Sequence, residues 1–241
     1  MLVPSEAQLL ALWEQGQRRH PVDRALLLCA WARPELPGDR LAELPLGALN
    51  AALLRMREAC FGPRIDAYVD CPRCGERLGL PLDAGDLLAG GAETDLRADL
   101  ELAGLRFRVP CSRDLAAVAG MAKGTALEAE AAAHRLLELC CLEARPAPSG
   151  QLVELLAEVE TGLAALDPAA DISLALACEA CGHRWAADFD IGALLWEEIE
   201  ARARAMLAEI HGLARAYGWT EPEILALSPE RRAAYLELAG A

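Results

Sequence analysis

The chain has 241 residues, enough for one large domain or two small ones. Its composition is 54% hydrophobic but only 5% aromatic, so we expect a core built mainly from Leu, Ala and Val, in which helix is favoured. A formal net charge of −14 disfavours nonspecific binding to nucleic acid or to an anionic membrane, because both carry negative charge themselves.

The first residues show no sign of export or membrane insertion. The start, MLVPSEAQLL, lacks the basic segment followed by an apolar one that is typical of a signal peptide. No apolar run in the sequence approaches the roughly 20 residues of a membrane-spanning helix. We therefore expect a soluble, cytoplasmic protein.

Residues 1–62 are predicted to form an N-terminal helical segment. Ser5 is expected to cap the first helix, with Gln8 at the position that completes a capping box. A second, strongly apolar helix follows and then a proline-rich loop over 33–45. Apolar residues at helical spacing predict a third helix over 46–60.

The next unit, 63–83, contains a C-x-x-C-G motif between two segments able to form strands. Cys71 and Cys74 are the two cysteines of this motif, and cysteine thiolates are ligands that bind zinc. Gly75 permits a left-handed turn in which backbone N–H groups face the thiolates. This unit is therefore predicted to be a knuckle hairpin that supplies half of a zinc site.

The segment 84–171 is predicted to be a mostly helical insertion. It begins with a hairpin whose turn lies near Gly104, and Ser112 is expected to cap the helix that follows. Two more helices are predicted over 128–143 and 152–166, with a loop rich in proline between them.

The unit 172–190 repeats the first knuckle. When Cys178 is aligned with the first cysteine of the earlier motif, the preceding strand, the glycine after the second cysteine and the alternating segment that follows all match. Asp190 lies at the position of Asp83, and each is expected to cap the helix that comes next. The chain therefore contains the same hairpin twice.

Two such hairpins facing each other would supply four thiolates in a tetrahedron, which is the closed arrangement of a structural zinc site. The ligands predicted on this basis are Cys71, Cys74, Cys178 and Cys181. About a hundred residues separate the pairs, whereas a compact finger has 15–20, so the prediction depends on the matching flanks. His183 is a competing ligand, and two unrelated surface turns or a redox pair remain alternatives.

The other five cysteines are predicted to be structural, because free cysteine commonly packs as a small hydrophobic residue. Four of them lie in helical Leu/Ala patterns and one stands alone. They are Cys29, Cys60, Cys111, Cys140 and Cys141.

The C-terminal segment, 191–241, is predicted to hold a helix over about 191–217, ended by Gly218. Two short helices capped by Thr220 and Ser228 should follow it. The predicted fold is thus α+β and mainly α-helical: a split zinc ribbon of two knuckle hairpins, with a helical insertion between them and helical segments at both ends.

The sequence does not predict an enzyme. The four histidines have no metal-pair spacing, and the common nucleophile, phosphate-loop and zinc-protease motifs are missing from the sequence. A zinc ion with four thiolate ligands has no open position for water. We therefore expect no catalytic residue and no small-molecule substrate.

Four stretches together resemble a known family, the T-even-type baseplate hub assembly proteins, or hub assembly chaperones, of contractile-tailed phages. The resemblance covers nearly the whole chain, and its most specific parts are the knuckles and AYGWTEPEILALSPERR. It implies a structural or assembly role in a phage tail or a phage-derived contractile injection system, with baseplate or hub proteins as partners, and with a place either in assembly alone or in the finished phage-like particle. The stretches are WEQGQRRHPVDRALLLCAWA, FGPRIDAYVDCPRCGERL, LRFRVPCSRDLAAV and IHGLARAYGWTEPEILALSPERRAAYLELAG.

The segment 210–238 is predicted to be the surface that docks onto such a partner, because aromatic anchors dominate the energetics of interfaces. The alternative is that its two short helices simply cover the long one and use the same apolar residues as core. The predicted partner-binding residues are Tyr217, Trp219, Ile224, Arg231, Arg232 and Tyr235.

A zinc-ribbon module that binds nucleic acid, or is associated with transcription, is the alternative function. Ribbons of that class usually carry Lys and Arg on their strands, and here Arg77 and Arg184 are outnumbered by acidic residues. The acidic residues set against these two arginines are Asp66, Asp70, Glu76, Glu179, Asp188 and Asp190.

Overall fold

The computed structural model describes residues 3–90, 99–121, 125–143 and 149–240. The chain is mixed α/β and 59% helical, which confirms the prediction of a mainly helical protein with strands. Within the described ranges the strands form three separate antiparallel sheets of two strands each.

The first two helices of the N-terminal segment begin at local side-chain caps, Ser5 and His20. The Ser5 hydroxyl accepts a hydrogen bond from the Gln8 N–H, and the Gln8 side chain accepts one from the Ser5 N–H, so the predicted capping box is confirmed. The loop predicted over 33–45 is wrong in one part, because it contains a helical turn whose Leu41 is buried in the core. The helices are α1 (Glu6–Gly16), α2 (Pro21–Ala32), α3 (Gly38–Ala42) and α4 (Leu46–Phe61).

The first cysteine unit is a hairpin of two seven-residue strands, β1 (Arg64–Asp70) and β2 (Arg77–Asp83). The two strands pair along their full length, from Arg64 opposite Asp83 to Asp70 opposite Arg77. The helix α5 (Ala84–Gly90) follows directly. The Asp83 carboxylate accepts a hydrogen bond from the Gly85 N–H at its start, at 2.8 Å, as expected for a cap.

The hairpin predicted in the insertion is present, and its turn has positive φ at Ala103 and Gly104. Cys111, and not Ser112, is the residue that precedes the next helix, because its backbone is extended and its N–H donates to the Asp114 carboxylate at 2.9 Å. Of the proline-rich loop, residues 144–148 lie outside the described part of the chain. The elements are β3 (Asp99–Leu102), β4 (Leu105–Arg108), α6 (Ser112–Val118), α7 (Ala126–Cys140) and α8 (Ser149–Leu166).

The described part of the insertion has an apolar cluster of its own, centred on Phe107, Leu137 and Val159. A polar seam joins it to α4. The buried Asp167 carboxylate accepts a hydrogen bond from the Gly47 N–H at 2.9 Å, and therefore caps a helix that lies 120 residues earlier in the chain.

The second cysteine unit is a shorter hairpin that leads into the longest helix. The predicted limits of that helix are confirmed: the Asp190 carboxylate accepts a hydrogen bond from the Ala193 N–H, and Gly218 ends the helix in the left-handed conformation. None of the described helices is both long and apolar enough to cross a membrane. The elements are β5 (Ser173–Ala177), β6 (Arg184–Asp188), α9 (Ile191–Tyr217), α10 (Glu221–Leu225) and α11 (Pro229–Ala239).

The main core forms around α9, against which α1, α2, α4, α10 and α11 all pack. Helices from both ends of the chain therefore share one apolar cluster. We call these helices together with that cluster the helical body. Its fully buried side chains include Leu28, Leu53, Ile199, Met206 and Leu213.

Candidate metal centre

The tip of the first hairpin is a tight turn closed by its own backbone. The Cys71 N–H donates to the Glu76 carbonyl at 2.8 Å, and the Gly75 N–H donates to the Cys71 carbonyl at 2.9 Å. Gly75 has φ +76°, a conformation that costs a residue with a side chain roughly 1–2 kcal/mol. The glycine after the second cysteine is therefore required by the shape of the turn.

The tip of the second hairpin repeats this geometry. The Cys178 N–H donates to the His183 carbonyl at 2.9 Å, the Gly182 N–H donates to the Cys178 carbonyl at 2.8 Å, and Gly182 has φ +69°. The similarity between the two hairpins, which the sequence predicted, therefore extends to individual backbone hydrogen bonds.

The structure brings together all four cysteines that the sequence predicts as ligands. The Cys71 and Cys181 sulfurs are 3.7 Å apart, those of Cys74 and Cys178 are 3.6 Å apart, and all four lie within 4.8 Å of one another. A tetrahedron with metal–sulfur bonds of about 2.3 Å has edges of about 3.8 Å, whereas a disulfide bond is about 2.05 Å long. The four thiols are therefore positioned to bind a metal ion.

The surroundings of the sulfurs favour the thiolate form at one position in particular. Burial raises the pKa of Cys71, but hydrogen bonds from the backbone of Arg73 and Cys74 outweigh it and lower the pKa to about 7. Cys71 and Cys178 are buried, while Cys74 is exposed. The centre therefore has one side through which an ion can enter from solvent.

His183 is not part of this sulfur group. Its ring stacks on that of Trp185, with 5.5 Å between the ring centroids, and the group found among the described residues contains the four cysteines alone. The contribution of His183 to the turn is its backbone carbonyl.

The bases of both hairpins are anchored in the helical body. Ile65 on β1 is fully buried there, and Ile172 and Phe189 on the second hairpin pack against the same cluster. Arg57 adds a polar anchor that the sequence analysis did not identify: its guanidinium donates to the carbonyl of Arg64 at 2.6 Å and forms an ion pair with Glu198 on α9. The signal available in the sequence was a single arginine on the apolar face of α4.

The other cysteines lie away from the metal centre and are buried or half-buried. Burial raises the pKa of Cys29 to about 11 and that of Cys140 to about 12, so both thiols are protonated at neutral pH. Cys29, Cys60 and Cys141 pack in the two apolar clusters, whereas the Cys111 thiol donates to the Asp114 carboxylate at 3.1 Å.

Two of the predicted partner-binding residues are buried inside the chain. Ile224 has 0% of its surface exposed and Arg232 has 1%. The Arg232 guanidinium forms ion pairs with Glu6 on α1, at 2.6 Å, and with Glu209 on α9, at 2.9 Å. Both residues therefore hold the C-terminal helices on the helical body, and they are corrected from partner contacts to internal contacts.

The three predicted aromatic anchors form one cluster. The rings of Tyr217 and Trp219 are stacked with 4.6 Å between centroids, and Tyr235 meets Trp219 edge-on at 4.9 Å. The Tyr217 hydroxyl donates to the Tyr235 carbonyl at 3.0 Å. Tyr217 and Arg231 are exposed, whereas the other two are half-buried, so only one side of the cluster faces solvent.

A cavity of about 370 Å³ lies where the helical body meets the insertion. Three of its polar side chains already have structural partners. The Asn50 amide donates to the Ala169 carbonyl at 2.9 Å, Asp190 caps α9, and Arg24 donates to the Gly16 carbonyl and lies over the Trp196 ring.

In comparisons with known proteins, no family model, no curated protein and no solved structure matches this chain. The four-sulfur cluster is therefore the main structural observation on which a function can be based.

Proposed function

We propose that this protein is a structural or assembly component, with a chaperone-like role, of the baseplate hub of a contractile phage tail or of a phage-like contractile injection system. We further propose that Cys71, Cys74, Cys178 and Cys181 hold a structural zinc ion in a split zinc ribbon. The zinc proposal is carried by the four-sulfur geometry. The baseplate proposal is carried by the resemblance of the knuckle and C-terminal stretches to the baseplate hub assembly proteins.

Zinc is the metal that this donor set suits best. Four thiolates are soft ligands in a closed tetrahedral arrangement, which favours zinc over magnesium or calcium and leaves no position for a reacting water molecule. Cys74 and Cys178 are 104 residues apart, so an ion bound between them closes a long loop. The proposed role of the metal is therefore to hold the two hairpin tips together.

The proposed docking surface is the solvent-facing side of the C-terminal aromatic cluster. Tyr217 and Arg231 are its exposed members, and Trp219 and Tyr235 present only part of their surface. Aromatic and arginine side chains are the residues that most often contribute strongly to binding at interfaces. A baseplate or hub subunit is the proposed partner.

Elemental analysis of the purified native protein tests the metal proposal. The expected result is one zinc ion per chain, lost on treatment with a strong chelator. Well under one zinc per chain, or another metal in its place, would overturn it.

Co-expression with the hub, tube and baseplate proteins encoded nearby tests the assembly proposal. Retention by one of them should be weakened by Arg231→Glu, since that arginine is exposed and should tolerate substitution. Arg204→Glu, which changes an exposed arginine of α9, is the matched control. A DNA gel shift that weakens with salt, together with no retention by any baseplate protein, would favour the nucleic-acid alternative instead.

A further inference from the structure

An apolar groove of about 430 Å³ runs between α7 and α8, continues past the end of α8 to Asp171, and is also lined by Leu46 of α4 and by Pro110. Leu136 contributes to it from α7, and Leu156 and Leu163 contribute from α8. Beneath them, Leu137 and Val159 are buried in the insertion's own cluster. The lining side chains recur at helical spacing on both helices, so the groove is a continuous apolar stripe between two neighbouring helices.

The charged side chains that line this α7–α8 groove are all acidic among the described residues. Glu160 and Asp171 line it and are exposed, and Asp167 is buried at its end, where it caps α4. None of the described residues that line the groove is basic. The adjoining Arg135 forms an ion pair with Glu138 at 2.8 Å, so its charge is already compensated.

We infer that the α7–α8 groove binds an amphipathic helix of a partner protein, one with an apolar face flanked by Lys and Arg. An open stripe between two packed helices has the shape into which a third helix fits, with its side chains at positions i, i+4 and i+7. Basic residues beside that face would meet Glu160 and Asp171. This inference goes beyond the baseplate proposal and does not depend on it, since it follows from the groove alone.

Leu136 allows the groove to be tested without disrupting the core. It lines the groove and is half-buried, but it is not among the side chains packed around Phe107. Leu127 lies on the same helix, is 77% exposed and does not line the groove. Leu136→Glu and Leu127→Glu therefore add the same charge to α7, and only the first adds it inside the groove.

The probe is a fluorescent helical peptide with Leu at positions i, i+4 and i+7 and with Lys on its flanks, alongside a twin in which Glu replaces Lys. We expect the intact protein to bind the basic peptide and not the acidic twin in an anisotropy titration. Leu136→Glu should weaken binding about tenfold or more, and Leu127→Glu should leave it unchanged. Nonspecific attraction between the basic peptide and an acidic protein would instead become stronger in both variants.

Glu160→Lys is a second variant at an exposed position, where the fold should tolerate the change. It should weaken binding of the basic peptide and improve binding of the acidic twin. Equal binding of the basic peptide by all variants, or no binding by the intact protein, would overturn the inference. A dimer seen by sedimentation that Leu136→Glu dissociates would also overturn it, because the occupant would then be a second copy of the chain.

Discussion

The helical body and the pair of cysteine hairpins are stabilised in different ways. In the body, α9 packs against five other helices, and the stabilising contacts are spread over many buried side chains from both ends of the chain. Each hairpin is a separate two-stranded sheet, a structure that is marginal in water by itself. Its tip meets the other tip through four sulfur atoms.

This difference has a mechanical consequence. Because many buried side chains each add a small part of the body's stability, the body should remain folded when one of them is truncated. The contact between the hairpin tips depends on only four sulfur atoms, so the loss of any one should weaken it strongly. Because the bases of the hairpins are anchored in the body through Ile65 and Phe189, loss of the metal should loosen the tips and leave the helices in place. Substitutions in the two regions should therefore have separable effects.

The largest effect is expected from Cys74→Ser, which removes one of the four sulfurs. We expect bound zinc to fall from one ion per chain to nearly none, and the free energy of unfolding to fall by about 4 kcal/mol at metal concentrations a thousandfold above the dissociation constant. Metal analysis, chemical unfolding and far-ultraviolet circular dichroism together check this result. The helical signal at 25 °C should persist.

Cys60→Ser is the matched control, because Cys60 is a half-buried free thiol on α4 outside the sulfur group. It should keep one zinc per chain. Loss of most of the helical signal in Cys74→Ser would show that the body needs the metal to fold, and the comparison between the two regions would fail.

The features that the sequence predicted well depend on local signals. The Thr220–Glu223 capping box and the limits of α9 at Asp190 and Gly218 are confirmed, because a cap and a helix end are specified within a few residues. The four-cysteine group was also predicted although its halves are distant in the chain, since the same motif and flanks occur twice.

The features that the sequence missed depend on contacts between distant residues. Arg232 looked like an exposed arginine of a polar helix, but it is buried by Glu6, which lies 226 residues earlier. Asp167 caps α4 across 120 residues, and no local pattern reveals such a pairing. The short helix α3 depends in the same way on burial of Leu41 in the core.

A smaller effect is expected from Leu53→Ala, which removes three of the four side-chain carbons of a residue in the fully buried centre of the body. The expected loss is about 3 kcal/mol in the free energy of unfolding, in the lower part of the range for buried leucines, because neighbouring side chains can relax into the cavity. One zinc ion per chain should remain bound. Urea unfolding and metal analysis measure the two quantities separately.

The control is Leu207→Ala, since Leu207 is 38% exposed on α9 and its truncation should cost less. If Leu53→Ala lost its zinc under conditions where the chain stays folded, the body and the tips would behave as one unit. That outcome would contradict the proposed division of the molecule.

The smallest effect concerns the charged clamp that joins α1, α9 and α11. Burial raises the pKa of Glu6, but hydrogen bonds and charges from Arg232 and Arg202 outweigh it, and the pKa is lowered below its usual 4.5. A carboxyl whose pKa is depressed by folding stabilises the folded state above its unfolded-state pKa. That contribution is lost as the pH falls through the folded-state pKa.

The clamp is best tested in a chain that already carries Cys74→Ser, because acid also protonates thiolates and would release the metal from the intact site. In that background, the free energy of unfolding should fall as the pH is lowered from 5 to 3, and Glu6→Gln should flatten the fall by about 1 kcal/mol, since the clamp is partly exposed. At pH 7 the same substitution should be destabilising, because it leaves the buried Arg232 with one charged partner, Glu209, in place of two.

Glu237→Gln, an exposed change on α11, is the control and should follow the parent curve. Parallel curves for Glu6→Gln and its parent would contradict the prediction, because ionisation of Glu6 would then add no pH-dependent stability.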